Sequence, residues 1–266
     1  MIVQPDRILI RMPESLELFL MATGVVQNYA VQQTRQMLQG QKQAEGFRVT
    51  VELGHEEQCF FLPLLPHLNI SLRGWPELRR RDWECVIDMR TTGRAFSLAT
   101  AQEKHLTETW GILYGASPGK VTDLGIMKAK LGTPTIDVLI DEEIEGAQVL
   151  KGFFESNYPS LTVKIKKVNG SRAFRIFDDL RDTKMYVGNR SGATYLTAMM
   201  GKKLVELYRN DCPLWFLSKD KNDGYRVLYG DKFTPEMVWC ECVEMLEWAE
   251  GEFVGNESTN RLAGVR

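Results

Sequence analysis

Residues 184–208 read KMYVGNRSGATYLTAMMGKKLVELY, and their pattern is strand, turn, helix, strand. Met185, Tyr186 and Val187 form a short apolar run, and Gly188-Asn189 is a turn signal. Ser191-Gly192 opens a helix on which Leu196, Met199 and Met200 share a face, and Gly201 stops it. Leu204 to Leu207 resumes an extended apolar pattern. A βαβ unit of this kind sets a helix N-terminus at the carboxyl edge of a parallel sheet. Backbone N–H groups and the helix dipole there favour an anion, most often a phosphate. A phosphate at Ser191, Gly192, Ala193 and Thr194 would gain those N–H groups, two hydroxyls and the guanidinium of Arg190, a good bidentate phosphate partner. Lys164, Lys166 and Lys167 would add charge if their strand faces the same place. The stretch also reads as an ordinary tight turn with a small-residue helix packed on a sheet, and the residues alone leave both readings open.

Working outward, the flanks extend the same alternation. Upstream, IDVLI (136–140) is a strand, 142–158 a helix ending at Pro159, LTVKIKKV (161–168) a strand and 177–183 a short helix with Asp178 and Asp179 near its start. Downstream, YRVLY (225–229) is a strand, and Thr234 caps a helix that has Pro235 in first position and runs to about Glu250. Nearer the N-terminus, RILIRM (7–12) is a strand, Ser15 a cap, 16–39 a long helix buried mostly in its first half, and FRVTVEL (47–53) a second strand. ECVID (84–88) is another, ending on Asp88, Arg90, Thr91 and Thr92, polar groups where ligands bind in open α/β sheets. Gly and Pro cluster over 115–135 and mark a join. The expected fold is α/β, two Rossmann-like, doubly wound parallel-sheet domains over 1–125 and 126–255, with a flexible tail over 256–266.

Bulk properties exclude several classes. The 266 residues carry a net charge of −2, so no basic footprint points to nucleic acid. The five cysteines are scattered and odd in number, which fits reduced thiols in a cytoplasmic protein better than a disulfide framework. Cys240 and Cys242, two apart on a helix, point to different faces and make a poor zinc pair. MIVQPDR does not read as a signal peptide, and no apolar run is long enough to span a membrane. His55-Glu56-Glu57 reads either as a metal-ligand fragment or as a solvated helix start with favourable acids. ELRRR (77–81) reads as a phosphate contact or a solvated face. GASPGK (115–120) lacks the spacing of a phosphate loop, no G-x-G-x-x-G follows the first strand, and no G-x-S-x-G is present.

VGNRSGATYLTAMMGKKLVELY resembles the signature of the heptosyltransferase-like glycosyltransferases, usually close to V-G-N-D-S-G-x-x-H-L-A-A-x-x-G-x-P-x-V-x-L-F. Val187, Gly188, Asn189, Ser191, Gly192, Leu196, Ala198, Gly201, Val205 and Leu207 match it. RILIRMPESLELFLMATGVVQNY, RRRDWECVIDMR and FTPEMVWCECVEMLE are similar to the family's opening strand and helix, its charged-aromatic strand and its closing helix. The resemblance implies a GT-B fold with two domains facing a cleft, and metal-independent sugar transfer from a nucleotide-sugar bound mainly by the second domain. It implies no bound cofactor and no metal. Donor phosphates would lie at Asn189, Arg190, Ser191, Gly192, Ala193, Thr194 and Tyr195. The family's Gly-Asp after the first strand, which carries the general base, corresponds to Glu17-Leu18, making Glu17 the candidate base one position early. Arg190 stands for the family's Asp, and Tyr195 for its His. These departures give a second reading, a catalytically inactive module that binds a nucleotide or a protein. The acceptor is open between a saccharide, a lipid-linked glycan and a modified base in DNA.

Overall fold

The computed structural model describes residues 7–40, 48–65, 68–72, 83, 85–90, 95, 106–116, 133–168, 172–209 and 224–249. ELRRR, Thr91, Thr92, most of GASPGK and the proposed tail lie outside them. The first half contains β1 (Arg7–Arg11), α1 (Leu16–Gly40), β2 (Arg48–Leu53), a 3-10 helix (Glu56–Leu64), β3 (Asn69–Leu72), β4 (Cys85–Asp88) and α2 (Leu106–Tyr114). The second contains β5 (Ile136–Asp141), α3 (Ala147–Asn157), β6 (Val163–Lys166), α4 (Ala173–Arg181), β7 (Thr183–Asn189), α5 (Gly192–Met199), β8 (Lys203–Arg209), β9 (Tyr225–Gly230) and α6 (Pro235–Ala249). Two wholly parallel sheets result, ordered β3-β2-β1-β4 and β6-β5-β7-β8-β9. The strand order reverses beside β1 in the first sheet and beside β5 in the second. Those are the places where open α/β sheets hold ligands at their carboxyl edges.

Period-two alternation sorts the second sheet's side chains into two layers. Val138, Ile140, Met185, Val187, Val205 and Leu207 face α3 and α6. Leu139, Tyr186 and Leu204 face the other way, into a core that continues through α4 and α5 to α1 and the first sheet. Ile8, Phe19, Val51, Phe61, Phe177 and Leu196 therefore belong to one apolar cluster spanning both halves. The facing helices touch: α1 packs on α5, and the 3-10 helix on α4, where the Phe60 and Phe177 rings meet edge to face at 5.2 Å.

Two helices differ from expectation. The helix expected over 142–158 starts only at Ala147, because Gly146 turns left-handed (φ 77°) and the chain before it makes a tight turn. The absence of a side chain there also leaves room for Pro235, whose Cγ would sit 2.4 Å from a Cβ at position 146. The helix expected over 177–183 runs instead from Ala173 to Arg181, so Asp178 and Asp179 sit near its end. Asp178 pairs with Arg181, and Asp179 with Lys166. The acid at this helix start comes from the other half: Glu57 Oε2 accepts a hydrogen bond from Ala173 N at 2.9 Å. Glu57 thus acts as an N-cap in trans. Glu57→Ala is expected to lower stability by about 1 kcal/mol, the usual worth of a cap. Urea denaturation checks it, and an unchanged midpoint would mean that water replaces the carboxylate at no cost.

Candidate functional site

The site is built on the end of β7. Arg190 N donates to Leu207 O at 3.1 Å, carrying the sheet ladder one residue beyond the strand. Ser191 is extended and caps α5, its Oγ accepting from Ala193 N at 3.2 Å. Thr194 answers by accepting from Ser191 N at 2.9 Å. This reciprocal capping box is the local reason that the chain turns from strand to helix here. Both hydroxyls are thereby engaged.

Behind the turn lies a buried carboxylate that the sequence reading did not single out. Glu206 pairs in register with Gly188 and shares the α5-facing side of β8 with Leu204. It is 6% exposed. Thr194 Oγ1 lies 2.8 Å from Glu206 Oε1, and the Tyr225 hydroxyl donates to Oε2. Burial pushes the Glu206 carboxyl above its ordinary range. Its hydrogen bonds with Tyr225 and Thr194 and the charge of Arg190 pull it down, and Glu17 adds repulsion. A raised folded-state pKa stabilises the fold below about 4.5, and that contribution is lost as pH rises through the folded value. Glu206→Gln is therefore expected to gain stability relative to the parent as pH climbs from 4.5 toward neutrality. Thermal unfolding across that window checks it, and a constant difference between the two proteins would remove Glu206 from the titration.

The first half supplies the opposite wall. Ser15 caps α1, with its Oγ accepting from Leu18 N at 3.3 Å, and Glu17 stands in the first turn. The loop before it is pinned by Gln58, a side chain 2% exposed. Its Nε2 donates to Pro13 O at 2.7 Å and to Glu14 O at 3.2 Å, while its Oε1 accepts from Gly54 N at 2.9 Å. Gln58 also escaped the sequence reading, because a single Gln in an apolar stretch carries no pattern.

The two walls meet. Arg190 Nη2 lies 2.8 Å from Glu17 Oε1, with the two side chains only 16% and 19% exposed. The guanidinium also sits 5.4 Å from the centroid of the Tyr208 ring. Burial raises the Glu17 carboxyl above its usual value, against the opposing pull of Arg190. A Cβ on Gly192 would lie 3.3 Å from Glu17 N and from Leu16 Cβ, so the first turns of α1 and α5 are in close contact. The remaining candidates divide. Ala193, Thr194 and Tyr195 are buried at 1%, 1% and 6% exposure. Asn189 turns toward the loop after β5, its Nδ2 donating to Glu143 O at 3.3 Å. Lys164 and Lys166 stand on β6, an edge strand with β5 between it and β7, and Lys167 follows it. Lys166 is held by Asp179 at 2.5 Å and Lys167 by Glu143 at 3.3 Å. Among the described residues no group of three or more His, Cys, Asp or Glu side chains is placed to hold a metal ion, and no helix is long and apolar enough to cross a membrane.

Two parallel α/β halves joined through facing helices define a GT-B-like architecture. Solved structures narrow the class. The chain is similar to Escherichia coli heptosyltransferase WaaC, solved with ADP-2-deoxy-2-fluoro heptose, at 13% identity and a TM-score of 0.58, over 90% of this chain and 99% of that one. It is similar to the glycosyl transferase family 9 protein of Veillonella parvula at 12% identity and a TM-score of 0.53, over 94% and 92%. The iron-containing dodecameric glycosyltransferase TibC of enterotoxigenic E. coli matches at 11% identity and a TM-score of 0.54, over 77% of this chain and 58% of that one. No family model matches the sequence, and no curated protein sequence does either. The fold is that of the heptosyltransferase-like glycosyltransferases.

Proposed function

We propose that this chain is a divergent glycosyltransferase of two domains, divided near residue 125, that moves a sugar from a nucleotide-sugar to an acceptor hydroxyl. The Glu17–Arg190 contact at 2.8 Å carries the reading. It brings a carboxylate of the first half and a guanidinium of the second to the start of α5, where a leaving diphosphate and a general base are both needed. In the proposed reaction the acceptor oxygen bonds to the anomeric carbon as the carbon–oxygen bond to the diphosphate breaks. Glu17 takes the hydroxyl proton, and burial, which raises its proton affinity, suits it to that role. Arg190 and the N–H groups at the start of α5 neutralise the departing diphosphate. A nucleotide-sugar donor accords with the ADP-heptose analogue in the WaaC structure. The free thiols Cys59, Cys85, Cys240 and Cys242 accord with a cytoplasmic setting.

A second reading, a nucleotide-binding module without catalysis, draws on the closeness of Leu16 to Gly192, which narrows the room for a sugar. Thermal-shift and calorimetric titration with ADP, GDP, UDP and their sugar conjugates tests both. Stabilisation by one nucleotide class, with release of the free diphosphate when an acceptor is added, is the expected result. Binding without turnover over any acceptor would favour the second reading. The absence of binding to every member would overturn both.

A further inference from the structure

The Glu17–Arg190 pair joins residues 173 positions apart and sits on the seam between the halves. It stands where the proposed reaction needs each partner to be doing something else: the guanidinium facing a diphosphate, the carboxylate facing an acceptor hydroxyl. A base whose lone pair is held in a bidentate-capable ion pair is a poor proton acceptor, and a guanidinium neutralised by a carboxylate is a poor diphosphate ligand. We propose that Arg190 is a latch. It binds Glu17 and holds it idle, and a nucleoside diphosphate that takes the guanidinium releases Glu17 to the acceptor. The inference rests on the reading of the α5 start as a diphosphate site. Its consequence is ordered binding, in which the base becomes available only after the donor has arrived.

The surroundings make the exchange feasible. Among the described groups, Glu206 acts electrostatically on both partners and the Tyr208 ring lies against the guanidinium. Tyr225 and Thr194 already bond to Glu206, and the Tyr208 and Tyr229 rings stack at 5.6 Å. Glu206 stays behind the turn, so Arg190 keeps one carboxylate near it when Glu17 is displaced. Tyr208 offers a ring face that tolerates a guanidinium in more than one rotamer. Glu17 is on the other half of the molecule and partly exposed, which makes it the carboxylate that can leave.

The latch and a merely structural tie predict opposite signs. If Glu17 competes with the ligand, its removal tightens binding; if it only braces the seam, its removal loosens the site and weakens binding. The experiment is calorimetric titration of ADP, GDP and UDP into the wild type, Glu17→Gln and Glu17→Asp at pH 7.5, repeated at pH 5. Both variants are expected to bind the preferred diphosphate about tenfold more tightly than the wild type at pH 7.5. The gap is expected to narrow as pH falls, because burial raises the Glu17 carboxyl above its ordinary range and its protonation weakens the hold on the guanidinium. Glu17→Asp, one methylene shorter, keeps a carboxylate and the fold while withdrawing it from the guanidinium, and so covers the case in which Glu17→Gln fails to fold. Equal or weaker binding by the variants, with the wild type binding normally, would overturn the latch and leave the diphosphate site standing. No binding of any diphosphate to wild type or variants would overturn the site and the latch together.

Discussion

Gly188→Ala is expected to destabilise the protein by about 2–4 kcal/mol, the sum of overpacking and loss of a buried hydrogen bond. An ideal Cβ at this position would lie 2.6 Å from both Cζ and Oη of Tyr186, well inside contact distance. Residues two apart on a strand share a face, and the Tyr186 ring lies back across Gly188. The ring has nowhere to go: Tyr186 is fully buried, and its hydroxyl donates to Asp141 Oδ2 at 2.7 Å, itself fully buried. Moving the ring would leave that carboxylate without its phenol partner. The methyl group therefore acts on the backbone of β7, one residue before Asn189 and two before Arg190, and the damage extends to the proposed donor turn. Chemical denaturation gives the magnitude. A double variant with Tyr186→Leu should cost less than the sum of the two single changes, because the shorter side chain vacates the contested space. Additivity, or a loss below about 1 kcal/mol, would mean that the ring adapts freely.

Arg190→Ala is expected to weaken nucleoside diphosphate binding by about 1.5–3 kcal/mol, the usual worth of a hydrogen bond to a charged group. That is roughly tenfold to 150-fold in the dissociation constant. The change removes the ligand contact and also deprives Glu17, 19% exposed, of its countercharge. Burial then acts on that carboxyl unopposed by its largest favourable partner. Arg190→Lys keeps the charge but not the planar fork, and should recover only part of the loss. Calorimetry on the three proteins checks this, and an unchanged affinity in Arg190→Ala would leave the guanidinium a purely structural tie.

Local pattern made much of the second sheet legible. The run from Lys184 to Tyr208 announced its strand, helix and strand because period-two and period-3.6 apolar spacing acts within a few residues, although Gly188-Asn189, read as a turn, belongs to the end of β7. What escaped was set by partners distant in sequence. The start of α4 was misplaced because its capping carboxylate, Glu57, comes from 116 residues earlier, while Asp178 and Asp179 imitate N-terminal acids nearby. The start of α3 was misplaced because Gly146 reads as an interior glycine until its left-handed backbone and its contact with Pro235 are seen. At the candidate site, Glu17 and Arg190 were named separately, but nothing in either stretch says that they touch. Glu206 did leave a signal, a lone carboxylate between Val205 and Leu207 in a strand buried on both faces, where an acid without a partner would be costly.

The apolar cluster that runs from the first sheet through α1 and α5 to the second has a mechanical meaning. Hinged parting of the halves would draw Leu16 off Gly192 and Phe60 off Phe177, putting core side chains into water. Sliding one helical layer along the other keeps those surfaces covered while shifting groups at the seam by an ångström or two. Parting the halves about a hinge therefore costs more apolar exposure than a small slide of one helical layer along the other, and at Gly192 the absence of a side chain is what lets α1 and α5 lie so close.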